Sequence, residues 1–246
     1  MQTTPSPQTP PPAQALILAA GRGERMRPLT DHTPKPLLRV RGQPLMAWPL
    51  EALARADITQ VLTNTAWLGE QIEAEFGDRL RYSHEGRDFG GALETAGGIA
   101  RALPQLAEVF WVVAGDVFAP DFVFAPEALA RFRASDALAH LWLVPNPAHN
   151  PRGDFGLAPD GRALNGDGPD GQRFTYSTIG LYRRALFKAP WCDIPCGNPA
   201  GVKAPLAPLL RRAMDNGCIS AELHHGPWTD VGTPERLAQL NTVAHP

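Results

Sequence analysis

The chain has 246 residues, a formal net charge of −2 and 43% hydrophobic residues. This length suits one large α/β domain, or a domain with a small subdomain, and supplies ample material for a core. The near-neutral balance gives no bulk field that would draw nucleic acid or an anionic membrane, no apolar run reaches bilayer length, and no hydrophobic signal core stands at the start, so a cytoplasmic protein is expected.

Residues 1–13, MQTTPSPQTPPPA, carry five prolines and no core-forming side chain. An extended, disordered tail is expected there, with one domain over 14–246. The run Ala15–Ala20 is unbroken and apolar and stops at Gly21-Arg22-Gly23. It predicts a short strand buried on both faces. The loop after such a strand lies at the carboxyl edge, where open α/β sheets bind ligands. Small residues there let backbone amides approach an anion, and four cations follow: Arg22, Arg25, Arg27 and Lys35. The stretch asks for a phosphate-rich ligand.

Neither common phosphate motif fits. Met26 stands where a dinucleotide fingerprint has its third glycine, and Lys35 follows Pro34 with no Ser or Thr after it. Pro34 and Pro36 instead hold Lys35 in a stiff, extended strap. Arg22 and Arg27 read as exposed. Pro44 is expected to open a helix carrying Leu45, Trp48, Leu50 and Leu53, kinked at Pro49.

Strands and helices then alternate. Gln60–Asn64, Leu80–Ser83, Val109–Ala114 and Leu141–Val144 read as strands; Leu68–Phe76, Glu94–Leu103 and the segment around Leu129 and Phe132 read as helices. This repetition predicts a doubly wound, mostly parallel sheet. From Pro145 to Pro169 the chain crowds with Pro, Gly, Asn and Asp. Phe155–Leu157 and Tyr176–Leu181 read as strands of a small antiparallel lobe. Leu206–Met214 is a helix, and Thr233-Pro234-Glu235 starts a closing one over Arg236–Val243. Cys192, Cys196 and Cys218 complete neither a disulfide framework nor a zinc set, so free thiols are expected.

Leu18–Val40, with its Gly-rich loop, Arg25, Pro28-Leu29-Thr30 and Pro34-Lys35-Pro36, resembles the signature of sugar-1-phosphate nucleotidyltransferases. Asn64–Gly69 (NTAWLG), Leu93–Gly98 (LETAGG), Gly115-Asp116-Val117, Arg152–Phe155 (RGDF) and Trp228–Thr233 (WTDVGT) extend the likeness over nearly everything after Gln14. Ala20, Arg39 and Ala96 depart from it, standing where Gly, Pro and Gly are common. The resemblance implies an α/β fold, a Rossmann-like doubly wound mixed sheet with a small antiparallel sugar-side lobe. It also implies transfer of UMP from UTP to an amino-sugar 1-phosphate, with Mg2+ as cofactor and small molecules as the only partners. The alternatives it leaves are mannose 1-phosphate with GTP, glucose 1-phosphate with TTP, and a non-catalytic binder of sugar nucleotides. No hexapeptide repeat follows, so a nucleotidyltransferase alone is expected.

On the same resemblance, Arg25 and Lys35 bridge the triphosphate and the incoming phosphate. Ala19, Ala20, Gly21 and Gly23, with Glu94, Thr95, Gly97 and Gly98, approach the nucleotide. Asn64, Asp154 and Lys203 face the sugar, and Asp116 and Asp230 hold the metal. Singly, an aspartate after a strand reads as a turn or cap residue; two of them, each in a matching motif, favour the metal. An acceptor bearing a carboxylate would also need a cation, for which Arg152 or Lys203 is expected.

Overall fold

The fold is taken from a computed structural model in which the described residues are 13–242. Residues 1–12, and with them nearly all of the proline-rich segment, lie outside that range, as do residues 243–246. In chain order the first half comprises β1 (Ala13–Leu18), the two-residue strands β2 (Arg39–Val40) and β3 (Gln43–Pro44), α1 (Ala47–Arg55), β4 (Val61–Thr65), α2 (Gly69–Phe76), β5 (Arg81–His84), α3 (Glu85–Phe89), α4 (Glu94–Ala102) and β6 (Leu106–Ala114). The second half comprises β7 (Val117–Phe118), α5 (Pro126–Ala134), β8 (Ala139–Val144), β9 (Gly156–Leu157), β10 (Ala163–Leu164), β11 (Thr175–Arg183), α6 (Leu206–Asp215), β12 (Ile219–Leu223), β13 (Thr229–Asp230) and α7 (Pro234–Thr242).

Seven strands form one sheet in the order β12-β8-β11-β6-β1-β4-β5. β5, β4, β1 and β6 run parallel; β11 enters antiparallel to both β6 and β8, and β12 runs parallel to β8. The sheet is therefore mixed, with β1 near its centre. Alternation in β1 sends Leu16 to one face and Ala15 and Ile17 to the other, and all three are fully buried. One face packs on α4 and α6 through Ile99, Leu209 and Leu210; the other packs on α1, α2 and α5 through Leu50, Ile72 and Phe132. Burial on both faces is why β1 and β6 read as continuous apolar runs.

A third, smaller cluster gathers Met26, Leu38, Val40, Leu45, Phe118 and Val231, with Leu237 and Leu240 of α7 against it. It fastens the loop after β1 to the C-terminal helix. Asn241 adds to this by accepting from the Arg41 amide at 2.7 Å and donating to the Arg39 carbonyl at 3.0 Å.

Three sequence expectations change. Ala13 belongs to the sheet, pairing with Leu106, rather than to the tail. Pro44 lies in β3 and α1 starts only at Ala47, so Pro49 sits in the first helical turn. No intrahelical amide is required there and no kink results. Tyr176–Leu181 is the middle of β11 in the main sheet, and the antiparallel lobe reduces to the β9–β10 hairpin with a Phe155–Phe174 bridge.

Candidate active site

β1, β4 and β6 end side by side, with Leu18 opposite Asn64 on one flank and Ala114 on the other. A cavity of about 640 Å3 opens over these carboxyl ends. Its lining includes Leu18, Ala19, Ala20 and Gly21 from the first turn, Lys35 from the strap, and Asp116 from the turn after β6. The rest of the wall comes from Glu94 and Thr95, from Asp154, Phe155, Tyr176 and Thr178, and from Leu206, Ala207, Leu210 and Arg211 of α6.

The first turn is held on both sides. The Ala19 amide donates to Asn64 Oδ1 at 2.7 Å, and the Gly115 amide donates to the Leu18 carbonyl at 2.8 Å. The Ala19 amide is thus engaged within the protein, whereas those of Ala20 and Gly21 bond to no other described residue. Free backbone N–H groups at such a turn make an anion site. Gly23 has φ +69°, and a Cβ there would stand 3.2 Å from Lys35 Cβ, so its bare backbone lets the strap fold back closely.

Among the four cations, Lys35 has a side chain less exposed than those of Arg22 and Arg27, at 12%, and its ammonium is paired to Asp116 Oδ2. Arg22 departs from the expectation of exposure. It stacks over the Trp67 ring at 3.8 Å and donates to the Thr30 carbonyl at 2.8 Å and to Asp31 at 3.0 Å. Trp67 bonds the same carbonyl at 3.0 Å. Arg22, with Arg27, holds the Asp31 carboxyl below the ordinary carboxylate range. Arg27 is exposed, as expected. Arg25 is exposed and has no partner among the described residues.

The segments that carry Asp116 and Asp230 are joined by a strand pair only two residues long. Asp230 of β13 faces Val117 of β7, and the Val231 amide donates to the Asp116 carbonyl at 2.9 Å. Asp230 does not line the cavity. Its Oδ1 receives Arg236 Nη1 at 2.5 Å and lies 2.8 Å from His149 Nε2. Asp116 Oδ1 and Asp230 Oδ2 therefore have no partner among the described residues. Each carboxylate thus keeps one open oxygen, the donor type a hard divalent cation takes when phosphate and water supply its other ligands. His149 carried no sequence signal, since Asp230 lies on a distant segment, and Arg236 read only as part of the closing helix although it reaches back six positions to Asp230.

The other expected residues divide. Thr95 and Glu94 line the cavity, Glu94 in the left-handed region at φ +57°. Asp154 lines it too, accepting from the Tyr176 amide at 2.8 Å and from Asn150 at 3.2 Å. Asn64 reaches the cavity, but its amide is engaged at both ends, by Ala19 and by Glu85 Oε1 at 2.7 Å. It braces the site rather than offering a free contact. Gly23, Gly97 and Gly98 do not line the cavity. A Cβ on Gly97 would stand 2.4 Å from the Val202 carbonyl, and one on Gly98 2.5 Å from Glu85 Oε1, so both glycines serve close packing inside the protein. Lys203 is exposed and outside the lining, and Arg152 lines a separate cavity with Asp167 and Arg173.

Two lining residues had no sequence signal. Glu85 is fully buried; burial pushes its carboxyl up, opposed by bonds from the Leu93 amide and Asn64. Thr178 sits at φ +62° in a register shift of β11 between Tyr176 and Gly180. Left-handed backbone is rare for a β-branched residue, and a bulge at a site edge re-aims a side chain. We expect Gly98→Ala to cost about 1–3 kcal/mol in urea unfolding, because the buried Glu85–Asn64 pair must move to admit a methyl. Unchanged stability would show that the pair shifts freely.

The family model described as nucleotidyl transferase matches residues 14–245. An N-acetylmuramate alpha-1-phosphate uridylyltransferase of Neisseria meningitidis serogroup B is 47% identical over 246 residues, covering 94% of this chain and 98% of that protein. A UTP--glucose-1-phosphate uridylyltransferase of Synechocystis sp. is 36% identical over 89% of this chain, which spans 60% of that longer protein. A crystal structure from Bacillus anthracis with bound sucrose superposes with a TM-score of 0.74 at 19% identity, over 93% of each chain, a likeness of fold.

Proposed function

The chain belongs to the nucleotidyl transferase family as a sugar-1-phosphate nucleotidyltransferase, and from that premise we propose that it transfers UMP from UTP to N-acetylmuramic acid 1-phosphate. A phosphate oxygen of the sugar attacks the α-phosphorus; the bond from that phosphorus to the bridging oxygen breaks, and pyrophosphate leaves with the electron pair. The reaction brings two anions together, so neutralising charge and aligning the reactants are the main tasks. In this reading the enzyme is cytoplasmic and serves cell-wall recycling.

The observation that carries the proposal is the cavity edge where free amides and Lys35 meet Asp116, with Asp230 on the strand paired to the segment that follows Asp116. Ala20 and Gly21 would receive phosphate oxygens on their amides. Lys35, restrained by its prolines and paired with Asp116, would present its ammonium without losing much side-chain entropy. Asp116 and Asp230 would hold Mg2+, which when bound neutralises charge on the transferring group. The Neisseria relative supports the acceptor, and the Synechocystis relative marks glucose 1-phosphate as the competitor to test.

The acceptor carries a lactyl ether ending in a carboxylate. A cation already fixed in the site should favour it over N-acetylglucosamine 1-phosphate by roughly ten- to a hundredfold in kcat/KM, the range for a hydrogen bond to a charged group. Pyrophosphate release with UTP and magnesium, measured for both acceptors and for glucose 1-phosphate, tests this. Equal efficiency, or a preference for glucose 1-phosphate, would overturn the acceptor while leaving the reaction class standing.

A further inference from the structure

The cavity lining holds two cations, Lys35 and Arg211, and Lys35 is already paired with Asp116. Arg211 is the cavity cation with no ion-pair partner among the described residues. It is presented by α6, where Ala207, Leu210 and Arg211 fall at i, i+3 and i+4 on one stripe and all line the cavity. The guanidinium is already fixed. Its Nη1 donates to Asn165 Oδ1 at 2.7 Å and to the Asn165 carbonyl at 3.3 Å, and its carbon lies 5.1 Å from the Phe155 ring centre. Asn165 is braced in turn by Asp215, donating at 3.0 and 3.2 Å to its two oxygens.

Nε and Nη2 of Arg211 have no partner among the described residues. A planar fork with its Nε–Nη2 edge unused matches a carboxylate in both shape and charge. Phe155 follows Asp154, the cavity acid suited to accept from sugar hydroxyls, so a hydroxyl contact and a carboxylate contact would adjoin. Resting on the acceptor reading above, we propose that Arg211 is the residue that recognises the lactyl carboxylate and so sets acceptor specificity. It takes the place expected for Arg152 or Lys203, neither of which lines this cavity.

The test is the ratio of kcat/KM for N-acetylmuramic acid 1-phosphate over N-acetylglucosamine 1-phosphate, in the wild type, Arg211→Gln and Arg211→Lys. The expected result is a ratio lowered roughly ten- to a hundredfold in Arg211→Gln, mainly through a raised KM for the carboxylated acceptor, and lowered less in Arg211→Lys. Both acceptors carry the 1-phosphate, so an arginine that met only phosphate, or that only held the fold, would slow both and leave the ratio where it was. An unchanged ratio in Arg211→Gln overturns the assignment. If that variant does not fold, an unchanged ratio in Arg211→Lys does so instead. A wild type without the preference defeats the acceptor reading itself, and a preference that survives in the variants defeats only the role of Arg211.

Discussion

Asp116→Asn and Asp230→Asn are each expected to lower kcat by on the order of 10²- to 10³-fold, and EDTA to abolish turnover of the wild type. Asparagine keeps the shape of the side chain and removes the charge, so the backbone pairing of β7 with β13 should persist. Asp116 is 34% exposed, which keeps the cost to folding small. Its loss strikes twice at the chemistry, since the Lys35 ammonium also loses the countercharge that now holds it. Asp230 differs because Arg236 and His149 already occupy one of its oxygens. An asparagine there leaves a partly buried guanidinium without its countercharge, so a modest drop in melting temperature should accompany the loss of rate. Titration of Mn2+ by calorimetry gives a readout independent of turnover, and both variants should weaken it at least tenfold. Full turnover in EDTA, or unaltered Mn2+ affinity in both variants, would falsify the paired-carboxylate site.

The depth at which the sequence was legible follows from how far apart the interacting residues lie. β1 was readable because an apolar stretch broken by glycine has one physical outcome in an α/β sheet, burial on both faces. The extended strap was a misreading: Lys35 opens a short 3-10 turn, Lys35–Leu37, in which the Leu37 amide donates to the Pro34 carbonyl at 2.9 Å and the Leu38 amide to that of Lys35 at 3.1 Å, so turn bonding overrode the extended preference of a residue before proline. Arg22 was not readable either. Its ring partner, Trp67, lies 45 residues further on, and nothing near Arg22 tells a stacked arginine from a solvated one. Gly97 and Gly98 were read as approaching the nucleotide; what they approach is Val202 and Glu85, from other segments of the protein.

Other misreadings share that cause. β11 shows the same period as a lobe strand, and only its pairing with β6 and β8 puts it in the main sheet. Glu85 stands among turn-like residues in the sequence, and burial by Asn64, Leu93 and Gly98 makes it a cavity-floor carboxylate. The two aspartates were visible one at a time. The pairing of their segments is a two-residue ladder between positions more than a hundred apart, too short to leave any periodic trace.

Arg25→Ala should lower kcat/KM by about 10³-fold while leaving the melting temperature essentially where it is, and the contrast between those two readings is the point of the experiment. Arg25 occupies the short turn Glu24–Met26, whose position is set by its neighbours. Met26 is fully buried in the small cluster under α7, and Gly23 accepts the Thr30 hydroxyl at 2.8 Å. Arg25 itself is exposed and has no partner among the described residues, so its truncation removes no hydrogen bond or ion pair, and about 0.5 kcal/mol bounds the expected change in stability. In the proposed reaction, however, a guanidinium on the phosphate loop meets charge that is largest as the two phosphates join, and such an arginine is worth about 10³-fold or more. Arg22→Ala supplies the comparison. It deletes the stack on Trp67 and the bonds to Thr30 and Asp31, so it should loosen the loop and lower the melting temperature. Its loss of rate should therefore come with a loss of stability that Arg25→Ala does not show. Arg25→Lys should recover part of the rate, since it restores the charge without the planar fork. A fall of less than tenfold in Arg25→Ala would return Arg25 to an ordinary solvated loop residue, and the task of meeting the triphosphate would pass to Lys35 and the open amides of Ala20 and Gly21.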